Sequence, residues 1–396
     1  MPRAPRAELT SIADLSTSRL GTGFWNSVAS PWGKAGDAGV APTADPPRAP
    51  LIFIVSLIVA LHVGPFIPAP ALAQEATPEA VSESTAMSPI EAASRWLRAQ
   101  QDPGGGFPGF DGVLDPGVTT DAAMALFAAQ ESDPAAVASL AAAIAYLEQN
   151  GAPYAQTGPG QAAKLALAAV TGGRDPRDFG GLDLVAAMTA PLATPVPDGV
   201  AGIYGDDLYD HALVLIALVA AGETIPETAI DPLRASQGPD GGWAFDGSTA
   251  PGSADSNTTA LVVQALAASG HGDDPMVERG LAFLASLSAP DGSGFAYGPS
   301  DPLVADANST ALVAQALIAA GENPAAREWG NAPLALARFQ TPDGGLRYLV
   351  SDEEPNLLAT LQAIPAMAGL PLPVATGCAA GDDTLPAGCL PLARAA

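Results

Sequence analysis

The densest set of side chains able to do chemistry is Asp206-Asp207-Leu208-Tyr209-Asp210-His211. The spacing Asp-Asp-x-x-Asp brings carboxylates to one helical face, where they could hold Mg²⁺ for a diphosphate. His211, next to these acids, is a conceivable proton donor. The same residues have a structural reading, which is the main expectation. Asp207 caps a helix, Asp210 adds charge at its positive end, and His211 forms a first-turn salt bridge. A longer pattern runs through the chain, because Asp115, Asp207, Asp255 and Asp306 each precede an apolar, alanine-rich run. A carboxylate there satisfies orphan N–H groups, and Asn257 or Asn308 with the following hydroxyl residue adds further capping oxygens. If the helices are arranged symmetrically, the caps at Asp255, Asp306 and their equivalents ring one mouth with negative charge and can recruit a cation or a cationic ligand. Aromatic residues recur at a similar stage of each unit, among them Tyr154, Tyr204, Trp243, Phe245, Phe295, Tyr297 and Tyr348. Packing is their first expected role, with Tyr204, Phe245 and Tyr297 as candidates to meet an apolar ligand. No metal site is assigned, and no cofactor is expected unless the diphosphate chemistry holds, when Mg²⁺ would be needed.

These residues need a frame, and the chain supplies one by repetition. The segments starting at Asp255 and Asp306 match almost residue for residue, through Thr-Ala-Leu-Val-x-Gln-Ala-Leu. Further copies begin at Asp115, Thr157, Asp207 and, more loosely, Glu353, giving a period of roughly 48 residues. Each copy carries two helical patterns. One is amphipathic, as in Ile90, Ala93, Trp96 and Leu97 or Val277, Leu281, Phe283, Leu284 and Leu287. The other is apolar nearly all round, as in Thr258 to Ser269, and closes at Gly270. Turn-forming runs separate them, such as Pro239-Asp-Gly-Gly-Trp243 and Pro342-Asp-Gly-Gly-Leu346. No alternating strand pattern is evident. Six pairs with one buried and one amphipathic helix predict an all-α architecture of two concentric rings, an α6/α6 toroid closed on itself.

At this level the sequence resembles the α/α toroids of the terpenoid and squalene cyclases, the protein prenyltransferase β-subunits and the cobalamin carriers. The cyclases' Gln-to-Trp repeat stands as Gln237…Gly241-Gly242-Trp243, and in weaker form as Gln101…Gly105-Gly106-Phe107 and Gln340…Gly344-Gly345-Leu346. Phe295 has no glutamine at the matching place. The resemblance covers about residues 88–370 and implies that the aromatic ring ties adjacent outer helices together, a bracing role. The chemistry of those families is largely absent. No Asp-x-Asp-Asp tetrapeptide occurs, and the zinc set of the prenyltransferases lacks its cysteine, since Cys378 is the first. The internal Cys and Gln of thioester toroids are missing too. A fold of this kind hosts unrelated chemistries. The expected function is an exported binding or scaffold protein with a central cavity for a small ligand, apolar or corrinoid-like. The alternative is an isoprenoid cyclase-like or prenyltransferase-like enzyme using Asp206, Asp207 and Asp210. A glycan-processing toroid with paired carboxylates is a third reading, for which no pair is nominated.

Composition narrows the partners. Forty-two acidic residues face 16 basic ones, a formal charge of −26, and the only lysines are Lys34 and Lys164. No basic face exists to neutralise phosphates, so nucleic acid is not an expected partner. A small molecule or a cell-surface partner is, and the chain is expected to act as a monomer. Residues 51–63 form an uncharged apolar run followed by prolines and Ala71-Leu72-Ala73, the pattern of a cleaved export signal over 51–73. An uncleaved anchor there is the other possibility, and the one expected route to a membrane; either way the domain is extracytoplasmic, secreted or at the cell surface. Residues 1–50 read as a disordered or mis-started leader, with Val40 a candidate true start, and 74–87 as a linker. Cys378 and Cys389 bracket the tail 371–396 and are expected to form one disulfide, closing a short loop.

Overall fold

The computed structural model describes residues 87–190 and 200–374. The expected leader, the export signal, the linker up to residue 86 and the Cys378 and Cys389 pair lie outside the described residues. Among the described residues there are thirteen α-helices and no strand, only isolated bridges. In chain order they are α1 (Pro89–Arg98), α2 (Pro116–Ala129), α3 (Ala136–Asn150), the single turn α4 (Ala152–Ala155), α5 (Pro159–Thr171), α6 (Leu184–Thr189), α7 (Leu208–Ala220), α8 (Glu227–Ala235), α9 (Ser256–Ala268), α10 (Pro275–Ser286), α11 (Ala307–Ala319), α12 (Ala332–Phe339) and α13 (Leu357–Met367). None of them is long and apolar enough to cross a membrane.

Helices α2, α5, α7, α9, α11 and α13 pack each on the next, and α13 returns to α2. That closure makes an inner ring, which has no end repeat needing a polar cap. Its helices are buried on all sides, as their alanine- and leucine-rich sequences require. The amphipathic helices α1, α3, α6, α8, α10 and α12 form the outer layer. Helix α10, for example, buries Met276, Val277, Gly280, Phe283 and Leu284 along one face. Each large apolar side chain so buried contributes about 1.5–3 kcal/mol. Helix α1 packs on both α2 and α13, joining the first unit to the last.

Five of the six inner helices start on a side-chain cap. Asp115, Asp207, Asp255, Asp306 and Asn356 accept the N–H of the residue three positions on, at 2.8–2.9 Å. Two expected unit starts shift by a few residues. The cap of α13 is Asn356, not Glu353, because Pro355 and Asn356 give the extended-then-helical break there. The cap position of α5 is Gly158, one residue after Thr157, and glycine offers it no side-chain acceptor. Thr157 Oγ1 turns back to donate to the Tyr154 carbonyl at 2.7 Å.

The turn residues brace the rings in the way the resemblance implies, with a division of labour. Gln101, Gln237 and Gln340 each use Nε2 twice, on the carbonyl four residues on and on a carbonyl near the start of the neighbouring outer helix. For Gln340 that second carbonyl is Pro89 O, at 2.8 Å, so one carboxamide ties the last unit to the first. Gly241 has φ +91, and a Cβ there would lie 2.5 Å from the Arg279 carbonyl. Only glycine admits that approach. In the unit lacking the glutamine, Arg338 from α12 reaches back to the Gly292 carbonyl at 2.9 Å instead. The aromatic of the motif is fully buried and held from inside: Phe107, Trp243 and Phe295, with Leu346, donate their N–H groups to Thr119, Thr259, Thr310 and Thr360.

Candidate functional site

Those threonines mark the rotation of four of the six inner helices, because each stands four residues after its cap and points to the turns of the outer layer, and the same count from the cap extends to α5 and α7. At 100° per residue, side chains two, six and nine residues after the cap lie roughly opposite, towards the ring axis. The sixth positions are Asp121, Lys164, Leu213, Leu261, Leu312 and Gln362. Among the second, sixth and ninth positions, Asp121 and Lys164 alone carry charge. They belong to neighbouring helices α2 and α5, and Lys164 Nζ lies 2.8 Å from Asp121 Oδ2, with both side chains nearly buried. Around this pair are two phenols. Tyr154 lies against Gly117 and within electrostatic reach of Asp121, Asp115 and Asp210, and Tyr209 within reach of Asp121, Asp207, Asp210 and Asp255. Burial pushes both hydroxyls well above the ordinary tyrosine range, so they are neutral donors. Burial also raises the Asp121 carboxyl, and Lys164 offsets part of that.

The Asp-Asp-x-x-Asp group sits next to this pair but is not arranged as a cation site. Asp207 is committed to its own helix, accepting from Asp210 N–H at 2.8 Å. The Asp210 carboxylate turns away to the neighbouring helix, where it accepts from the backbone of Gly160, and from Asp206. It supplies the acceptor that Gly158 cannot, and Gly160 is required because a Cβ would stand 1.9 Å from Asp210 Oδ1. Asp206 is exposed. Among the described residues no group of three or more His, Cys, Asp or Glu side chains is placed to hold a metal ion. Mg²⁺ therefore does not fit the donors as they stand. Burial first, then the neighbouring carboxylates, push Asp207 up to about 8 and Asp210 to about 6.

His211 forms neither the expected salt bridge nor a proton donor. It occupies the position that threonine holds in four other units, four residues after the cap, and does the same work. Its Nδ1 accepts from Tyr204 N–H at 3.0 Å and its Nε2 meets the Ala229 carbonyl at 2.8 Å. Two backbone partners fix the Nε2–H tautomer, and burial lowers the imidazole to about 4, so the ring is neutral. Tyr204 packs on it, with ring centroids 5.5 Å apart.

The other candidates are placed at the same end of the ring. Asp255 and Asp306 are buried caps, each also taking a hydroxyl, from Thr258 and Ser309 at 2.8 Å. Burial raises both to about 6, and their oxygens are enclosed rather than presented at a mouth. Phe245 is half-buried near Tyr209, ring centroids 6.4 Å apart, and Tyr297 is 38% exposed. The carbonyls of Phe245, Tyr297 and Tyr348 accept the first N–H of the preceding inner helix, from Leu208, Ser256 and Ala307 at 2.7–3.0 Å. These turns are thus cross-unit caps as well as aromatic edges. Sequence reasoning passed over Asp121, Lys164 and Tyr209; counting register from the cap, rather than searching for motifs, would have singled out the two charges.

No protein-family model and no curated protein sequence matches the chain. Solved structures do. A variant of the type II terpene cyclase MstE from Scytonema, in complex with geranylgeranyl dihydroxybenzoate, is 18% identical, with a TM-score of 0.53 over 71% of this chain and 96% of that one. The chain has the terpenoid-cyclase-like α/α-toroid fold. A protein from Actinoplanes is similar at 19% identity and a TM-score of 0.53, covering 71% of this chain and 98% of its own. An unsaturated glucuronyl hydrolase specific for heparin is similar at 15% and 0.51, covering 71% and 95%. Neighbours with such different chemistries speak for the fold and not for one reaction.

Proposed function

We propose that the toroid is an exported binding protein whose ring interior takes a small amphiphile, neutral or cationic. Its polar head lies at Asp121, Lys164, Tyr154 and Tyr209, and its apolar body lies against Leu213, Leu312 and Met124. The observation that carries this reading is the Asp121–Lys164 pair, in which the charges of the inward register meet in adjacent helices. Met124, Leu213 and Leu312 retain slight exposure while their helix neighbours Ala122, Ala123 and Ala311 have none, in keeping with an open axis. Asp121 and Asp210 both lie within electrostatic reach of the one lysine, Lys164, a field that favours cations and disfavours a diphosphate. The test is calorimetric titration with n-alkylammonium ions, on the chain and on the Asp121→Leu, Lys164→Leu double variant. Binding that the double variant loses supports the site; no binding, or equal binding by both, refutes it. Amino-terminal sequencing of the protein recovered from outside the cell tests export, and an intact residue 1–73 segment on a cytosolic protein refutes it.

One observation favours a second reading, the cyclase-like enzyme. Asp207, raised to about 8, retains its proton at neutral pH, as an acid that protonates an alkene must. Incubation with linear isoprenoids decides it: a cyclised product lost in Asp207→Asn supports the reading, and no product removes it.

A further inference from the structure

The end of α13 feeds a strap into the inner ring. Gly369 turns left-handed at φ +73, and Leu370 N–H closes the helix on the Pro365 carbonyl at 3.0 Å. From there residues 370–374 run past α11 to α9. Gln315 Nε2 donates to the Leu370 carbonyl at 3.0 Å, and Leu372 N–H donates to Gln264 Oε1 at 2.8 Å. Both glutamines stand nine residues after their caps, in the inward register of adjacent inner helices. Both are buried, and so are Pro373 and Val374 on the strap. Gln264 Nε2 remains a buried donor with no protein partner, next to the strap. These are the glutamines of the two matching segments, so two units devote the same side chain to one piece of backbone.

We infer that the strap is the floor of the interior site proposed above, on which this inference rests, and that it fixes the length of the ligand. From the level of the head-group phenols, at the second residue after the cap where Tyr209 stands and Tyr154 meets Gly117, to the ninth is seven residues, a depth of about 10 Å at 1.5 Å per residue. The site then takes compact amphiphiles of about that length and excludes extended long-chain isoprenoids.

The experiment measures binding of n-alkylammonium ions graded in chain length, below micelle-forming concentrations. Three proteins are compared: the full chain, a chain ending at Gly369, and the full chain with Gln264→Ala and Gln315→Ala, which frees the strap without removing it. In the full chain, affinity rises about fourfold per methylene and then falls beyond a cut-off length. In both variants the rise continues past that length. The same cut-off in all three, or none in the full chain, overturns the floor while leaving the interior site intact. No binding at any length by any of the three overturns the site itself and the floor with it.

Discussion

Replacing Asp255 by Asn tests whether the buried caps hold their protons as their surroundings demand. Burial raises the carboxyl from 3.8 to about 6 in the folded chain, although two hydrogen bonds from Thr258 pull the other way. A folded-state value above the unfolded one means that the native state binds the extra proton between these limits. The stabilisation is complete below pH ~4 and is lost as pH rises through ~6. A gap of that width between the folded and unfolded titrations corresponds to about 3 kcal/mol, an order-of-magnitude figure for an enclosed group. Asn keeps the acceptor for Thr258 N–H, since its Oδ1 can take the place of the Asp255 oxygen 2.8 Å away. It cannot titrate, and its amide requires the Thr258 hydroxyl to turn from donor to acceptor. The variant is therefore less stable than the natural chain near pH 4 and approaches or overtakes it by pH ~7.5, the difference between them moving by about 3 kcal/mol across the window. Urea unfolding of both proteins at several pH values gives that difference directly. The comparison cancels the general self-repulsion of an acidic chain, which is common to both. A stability difference constant with pH within about 0.5 kcal/mol refutes the reasoning.

Lys164→Leu alone leaves Asp121 buried without its partner and costs about 3–5 kcal/mol, whereas pairing it with Asp121→Leu repeats the leucines of the other units and recovers most of that in denaturant unfolding. Gly241→Ala destabilises far more than Gly252→Ala, although both have positive φ, because only the first drives a Cβ into a carbonyl; melting temperatures of the two variants rank them, with about 1 kcal/mol expected for Gly252→Ala. The His211 ring stays neutral down to pH ~5, so its NMR ring-proton shifts remain flat between pH ~8 and ~5 while those of an exposed histidine move.

Why the fold could be read from the chain and the site could not follows from where each kind of information lies. A helix pair that repeats is written many times, so the start at Asp255 vouches for the one at Asp306, and a Cβ added at Gly241 or Gly344 would lie 2.5 or 2.4 Å from a neighbouring helix carbonyl in the same way. Errors arose where a unit departs from the pattern. At Gly158 the cap is missing from its own unit and arrives from Asp210, a residue from the next inner helix, so the local sequence at Thr157 misplaced the start by one residue. That borrowed cap also explains the Asp-Asp-x-x-Asp spacing without any cation.

His211 shows the same logic from the other side. A lone histidine beside acids invites a catalytic reading, but four residues after a cap it replaces a threonine that accepts a backbone N–H, and its neutral Nδ1 can accept one too. The departures on which the proposed site rests are of another kind. Threonine at the fourth position, an acid or amide cap and paired glycines are all consumed in holding the rings. Asp121 and Lys164 stand where three other units have leucine, in an apolar register where charge is costly. Such a pair is retained at an expense in stability, and the recognition role proposed above accounts for that expense better than bracing does, since Leu213, Leu261 and Leu312 fill the same position in three of the other four units.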